Sequence, residues 1–172
     1  MGNNHSAWFD ASKRKVLIMN FEDYYHEKIS KLISKIDIKV NDAVGFTSDQ
    51  IYYKTLALKL WYLTNKNRHL WKHHYVGTQG IIFIFSFHEK QEENLIYEAM
   101  TVFCDDNINE IPILVVIDSN NKDDFIVERL RSEMNKSQNI STNIKFQYVD
   151  FEKQPGELQT GFDWLCETMK PL

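Results

Sequence analysis

Gly80-Ile81-Ile82-Phe83-Ile84-Phe85 is apolar throughout, with no alternation. A strand with one wet face alternates; a run without alternation needs cover on both faces, as in the centre of a parallel sheet. Ile111 to Ile117 reads as a second central strand, and Lys15-Val16-Leu17-Ile18-Met19 as a buried strand near the start. Ile144 to Val149 reads as a further strand. Between these runs lie helical patterns. Ile29, Leu32, Ile33 and Ile36 fall at i, i+3, i+4, i+7, one face of a helix. Lys90 to Phe103, the stretch around Ile126 and Leu130, and Leu158, Phe162, Leu165 and Met169 give three more, and the segment around Trp71 reads as a short one. Val44 to Tyr53 and Thr55 to Leu63 are adjacent strand-like runs. In the second, Leu56, Leu58 and Leu60 face one way, while Thr55, Ala57, Lys59 and Trp61 face the other. The tight connection at Lys54 predicts a hairpin. The expected fold is therefore α/β with three layers. Its sheet has six strands, mostly parallel, with one antiparallel strand at the edge.

A chain of 172 residues with 43% hydrophobic content has the size and apolar supply of one domain. Its formal net charge of -4 argues against a nucleic-acid partner, which calls for a basic surplus. The two cysteines, Cys104 and Cys166, sit inside apolar helical patterns and read as buried, reduced thiols of a cytoplasmic protein. No run approaches the ~18 apolar residues of a membrane span, and the first residues lack the apolar core of a secretory signal.

Met1-Gly2-Asn3-Asn4-His5-Ser6 fits the N-myristoylation pattern, with Gly2 as the acceptor once Met1 is removed. One acyl chain holds a membrane only marginally. Ala7-Trp8-Phe9 and Lys13-Arg14-Lys15 would supply the second signal that peripheral attachment needs. Residues 1–14 are thus read as a membrane-proximal segment and residues 15–172 as the folded domain.

Three stretches carry a resemblance. Trp71-Lys72-His73-His74-Tyr75-Val76-Gly77-Thr78-Gln79-Gly80-Ile81-Ile82-Phe83 is similar to W-R-H-Y-F-x-x-T-Q-G-L-I-F of the ADP-ribosylation factor (Arf) and Arf-like small GTPases. Val44-Gly45-Phe46, Tyr53-Lys54 and Leu60-Trp61 resemble that family's interswitch hairpin, I-G-F-N-V-E…Y-K-N…V-W-D. Gly161-Phe162-Asp163-Trp164-Leu165 resembles its C-terminal G-L-D-W-L. The resemblance implies a small-GTPase G domain, effector or scaffold proteins as partners, and frequent N-myristoylation. It also implies a hairpin that slides when GTP replaces GDP. Effectors of the family contact an aromatic triad. Here two of its positions are Phe46 and Trp61, and the third falls on His74, with Tyr75 beside it.

The nucleotide-handling motifs depart from the family. A phosphate loop needs glycines to wrap phosphates in backbone N–H groups, a Lys for charge and a Ser or Thr for Mg2+. Where the family has G-L-D-x-x-G-K-T/S-T, this chain has Asn20-Phe21-Glu22-Asp23-Tyr24-Tyr25-His26-Glu27-Lys28. Asn20 and Tyr25 replace the glycines, His26 the lysine and Glu27 the Mg2+ hydroxyl. One carboxylate about 5 Å from a phosphate charge costs roughly 3 kcal/mol at an effective dielectric of about 20. The switch-I Thr falls on Ala43, and W-D-V-G-G-Q becomes Trp61-Tyr62-Leu63-Thr64-Asn65-Lys66. The Mg2+-linked Asp, the γ-phosphate-sensing Gly and the water-positioning Gln have no counterpart.

One motif stands against this. Asn121-Lys122-Asp123-Asp124 spells the guanine-reading N-K-x-D, with Asn121, Lys122 and Asp124 as candidate base contacts, but it lies three residues later than the preceding strand places it. The plain alternative is a polar loop entering a helix. His69 and His73, at i, i+4, would share one face of an α-helix and so could share a metal; no Cys or carboxylate accompanies them, and no metal site is assigned. No catalytic residue is assigned either. The expected function is an Arf-like pseudo-GTPase serving as a protein-interaction module or scaffold, with no cofactor. Two alternatives are a divergent regulator of membrane traffic that binds GTP or GDP with Mg2+, and a structural subunit of a ciliary or organellar assembly.

Overall fold

The computed structural model describes residues 13–21, 28, 48–85, 92–121, 124–138, 140, 143–154 and 156–169. Strands β1 (Arg14–Asn20), β2 (Ser48–Tyr53), β3 (Leu56–Leu63), β4 (Thr78–Phe85), β5 (Ile113–Asp118) and β6 (Ile144–Val149) form one sheet, in the order β2-β3-β1-β4-β5-β6. Only the β2–β3 pair is antiparallel, and β2 is an edge strand. Helices α1 (Glu92–Phe103), α2 (Asp124–Lys136) and α3 (Glu157–Thr168) cover it, with a ten-residue 3₁₀ helix over Asn65–His74. The six-stranded, mostly parallel α/β architecture expected from the sequence is the one found. The helix expected from Ile29, Leu32, Ile33 and Ile36 lies outside the described residues.

Two apolar clusters flank the sheet. On one face Val16, Ile18, Leu58, Leu60, Ile82 and Ile84 pack against Leu158, Phe162 and Leu165 of α3. On the other, Leu17, Ile81, Phe83 and Val115 pack against α1, α2 and the 3₁₀ segment. The alternation read in β3 holds: Leu58 and Leu60 join the first cluster and Trp61 borders the second. Two glycines of the resemblance motifs serve one contact. A Cβ on Gly161 of α3 would stand 2.9 Å from Leu114 Cδ1, and one on Gly80 of β4 would stand 3.0 Å from Met169 Sδ. Each glycine lets the last helix lie flat on the sheet.

Some boundaries moved. β5 starts at Ile113 rather than Ile111, because Pro112 has no N–H to donate and Ile111 N–H closes a turn on the Ile108 carbonyl at 3.0 Å. Thr55 belongs to the hairpin turn, in which Lys54 takes a left-handed φ of 51°. Of the two cysteines, Cys166 is buried and its thiol is pushed up to about 12 by burial. Cys104 is only half-buried, 3.3 Å from the Ser137 hydroxyl, which corrects the expectation that both are enclosed. No helix among the described residues is long and apolar enough to cross a membrane.

Candidate functional site

The carboxyl ends of β1, β3, β4, β5 and β6 share one edge of the sheet, where parallel α/β folds hold ligands. Asn20 ends β1 there, 1% exposed, and neither its amide nitrogen nor its oxygen has a hydrogen-bond partner among the described residues. An unpaired buried amide costs about 1–3 kcal/mol. Replacing Asn20 by leucine is therefore expected to raise the unfolding free energy by about 1 kcal/mol or more in urea titrations. A loss of similar size would show that the amide is held by a partner. Tyr62, in the place of the family's Mg2+-linked Asp, is 4% exposed and belongs to the apolar cluster under α3. Asn20 is the one degenerate phosphate-loop position within the described residues; Tyr25, His26, Glu27 and Ala43 lie outside them, as do Gly2, Phe46 and Lys122.

The loops after β5 and β6 are tied to each other. Asp118 ends β5, 2% exposed, and accepts the Asn120 backbone N–H at 3.0 Å. The Asn120 amide reaches Asp150 Oδ1 at 3.0 Å, and that same oxygen accepts the backbone N–H groups of Glu152 and Lys153 at 2.9 and 2.8 Å. The Lys153 N–H and the Asn120 amide hold the Asp150 carboxyl below the usual carboxylate range. Lys28 is ion-paired with Glu152 at 3.7 Å. Of the literal N-K-x-D, Asn121 closes a short 3₁₀ turn after β5, and Asp124 opens α2, where an acid complements the helix dipole. The position directly following β5 is filled by Ser119 and Asn120.

The segment in the place of the second switch is fixed at several points. Trp71 is 3% exposed, donates from Nε1 to the Thr64 carbonyl at 3.0 Å, and stacks on Phe21 with ring centroids 5.4 Å apart. Arg68 pairs with Glu98 of α1 and lies over the Phe21 ring at 5.6 Å, and Lys72 pairs with Asp105 at 3.2 Å. Burial pushes the Asp105 carboxyl up, but the Asn107 amide and backbone N–H and the Lys72 ammonium outweigh it and hold it low. Between this segment and α1 lies a cleft of about 530 Å³ with Trp71 and Tyr75 in its wall. A 3₁₀ helix repeats every three residues, so His69 and His73 do not share a face as the α-helical reading required. Among the described residues, no group of three His, Cys, Asp or Glu side chains could hold a metal.

Trp61 and His74 meet, their rings 5.5 Å apart. Burial, then the Lys15 charge, lowers the His74 pKa and so favours the neutral imidazole. Tyr75 differs from expectation: it is 3% exposed in the core, so its ring is not offered to a partner. The sequence reading put Lys15 in the basic cluster of the N-terminal segment and Lys59 on one face of its strand, without bringing the two together. They stand opposite each other on β1 and β3, and their ammonium groups lie 5.8 and 4.6 Å from the Trp61 ring. The signal was present, since Lys59 is two residues before Trp61 in an alternating strand. The hairpin tip also has an unforeseen anchor: the Tyr53 hydroxyl donates to Asp163 Oδ1, and Lys54 pairs with the same oxygen at 2.7 Å.

The model of the ADP-ribosylation factor family matches residues 22–169. ADP-ribosylation factor K of Dictyostelium discoideum is 29% identical over 132 residues, covering 73% of this chain and 69% of that protein. With the family match over most of the chain and a six-stranded sheet with one antiparallel strand, the chain belongs to the ADP-ribosylation factor family of small GTPases.

Proposed function

We propose that this chain is a pseudo-GTPase of its family, a protein-interaction module held in one conformation and without ordinary GTP hydrolysis. The observation that carries this reading is Tyr62. A buried phenol stands in an apolar cluster where the family places the carboxylate linked to Mg2+. Asn20 supports it, as a buried amide, unpaired among the described residues, replaces the first phosphate-loop glycine. With Glu27 and Ala43 in the two hydroxyl positions, the donor set does not fit a nucleotide with Mg2+. Trp61 and His74 remain as the aromatic surface for an effector or scaffold protein, with Phe46 as its third member by sequence. Gly2 acylation would add a peripheral membrane anchor. A Gly2→Ala change that leaves membrane distribution unaltered would remove that part.

Family membership favours a second reading, a GTP-binding regulator of membrane traffic. Hydrogen exchange separates the two. In a pseudo-GTPase, amide exchange across residues 48–74 is the same with and without millimolar GTP and Mg2+. Protection or deprotection of the hairpin on adding nucleotide would establish the switch instead.

A further inference from the structure

β1 and β3 run parallel, and their register sets Lys15 directly beside Lys59 on one face of the sheet. Like charges placed opposite each other across strands oppose folding. The charge of Lys59, after burial, lowers the Lys15 pKa. Among the described residues no carboxylate reaches either ammonium. Lys15 donates to the carbonyls of His74 and Val76 at 2.5 and 3.0 Å, and Lys59 lies over Trp61. Between them is a half-buried indole with the His74 imidazole against it. Gln50, paired with Lys59 on the edge strand, accepts from Lys13 at 2.8 Å, which brings a third cation to the same face.

From this juxtaposition we infer that the Trp61 surface takes a peptide segment of a protein partner bearing an Asp or Glu beside an aromatic or aliphatic side chain. The carboxylate sits between Lys15 and Lys59, where it removes their repulsion, and the apolar side chain covers the indole. The inference rests on the interaction-module reading and names the partner's chemistry. A peptide fits better than an anionic lipid surface for two reasons. The cations converge on one recessed ring rather than spreading into a broad field. The whole chain carries a formal charge of -4, which opposes adsorption to an anionic bilayer.

The test is selection of a phage-displayed library of random twelve-residue peptides on the immobilised full chain, with phosphatidylserine–phosphatidylcholine vesicles as a parallel probe. Selected peptides are expected to be rich in Asp or Glu next to Trp, Phe or Leu. Their affinity should fall with added salt, and should drop by about tenfold or more in Lys59→Glu. It should be unchanged in Lys136→Glu, the same charge reversal on α2. Lys59 is a half-exposed strand residue, so this variant keeps the core intact, and a thermal melt verifies that. Apolar peptides without acidic residues, bound through Trp61 but indifferent to Lys59→Glu, would overturn the inference and leave the interaction module standing. Peptides indifferent to both Lys59→Glu and Trp61→Ala would overturn the two together. No enriched peptide, with vesicle binding lost in Lys59→Glu, would assign the lysines to lipid.

Discussion

Replacing Trp71 with alanine is expected to lower the unfolding free energy by about 3–5 kcal/mol, the usual cost of removing a large aromatic from a core. The indole is 3% exposed, stacks on Phe21 and borders the cluster that holds Phe83, Leu63 and Tyr75. Its Nε1 also satisfies the Thr64 carbonyl, at the point where β3 gives way to the 3₁₀ helix. Runs of 3₁₀ helix longer than a few residues are poorly hydrogen-bonded. This one is held by its side chains, and Trp71 is the deepest of them. Urea titration of Trp71→Ala measures the loss. Hydrogen exchange should show residues 65–74 opening ahead of the rest, even though the ion pairs of Arg68 and Lys72 are still available. A variant within ~1 kcal/mol of the parent would mean that the surface ion pairs hold the segment.

The hairpin tip gives the second large effect. Asp163 accepts from the Tyr53 hydroxyl and the Lys54 ammonium, and Tyr53 packs edge-on against Phe162 at 4.8 Å. A hydrogen bond to a charged group contributes about 1.5–3 kcal/mol. The Asp163 side chain is 31% exposed, which weakens it toward water, and the Lys54 pair adds little. Asp163→Ala should therefore cost about 1–2 kcal/mol. The pH profile has a definite sign. The Lys54 ammonium, then the Tyr53 hydroxyl, holds the Asp163 carboxyl low, so its contribution is complete above its unfolded pKa of about 4 and is lost as pH falls through the depressed folded value. Burial, then the Asp163 bond, pushes Tyr53 up to about 12, so its contribution is complete below about pH 10 and is lost as pH rises toward 12. Stability measured against pH should show both limbs in the parent and flatter limbs in Asp163→Ala. Unchanged limbs would show that the tip is not anchored there.

This anchor bears on the hairpin's freedom. Tyr53-Lys54 and Asp163 were each noticed as parts of motifs, 110 residues apart in the chain for Tyr53 and Asp163. Nothing in a sequence pattern says that two such motifs touch. What was legible came from periodicity. β6 spans Ile144 to Val149 as read, and α3 follows its apolar positions to the cap at Met169. Adjacent-strand register was legible in principle too, once β1 and β3 were both identified, and it would have paired Lys15 with Lys59. Three features were not legible, for physical reasons. The pattern of a short helical segment does not distinguish an α-helix from a 3₁₀ helix, and so the shared face of His69 and His73 was misjudged. The missing partner of Asn20 is a property of packing. The bridge from Asn120 to Asp150 joins two loops that the sequence presents 30 residues apart. The replaced nucleotide motifs were legible at once, because phosphate binding needs particular residue types at fixed spacing.

The proposed loss of nucleotide chemistry is tested most directly by nucleotide content. The full chain is purified without added nucleotide and denatured, and released GDP and GTP are quantified by chromatography against protein. The expected result is nucleotide far below one equivalent. Near-stoichiometric GDP or GTP would contradict the pseudo-GTPase reading and return Asn121 and Asp124 to the status of base contacts.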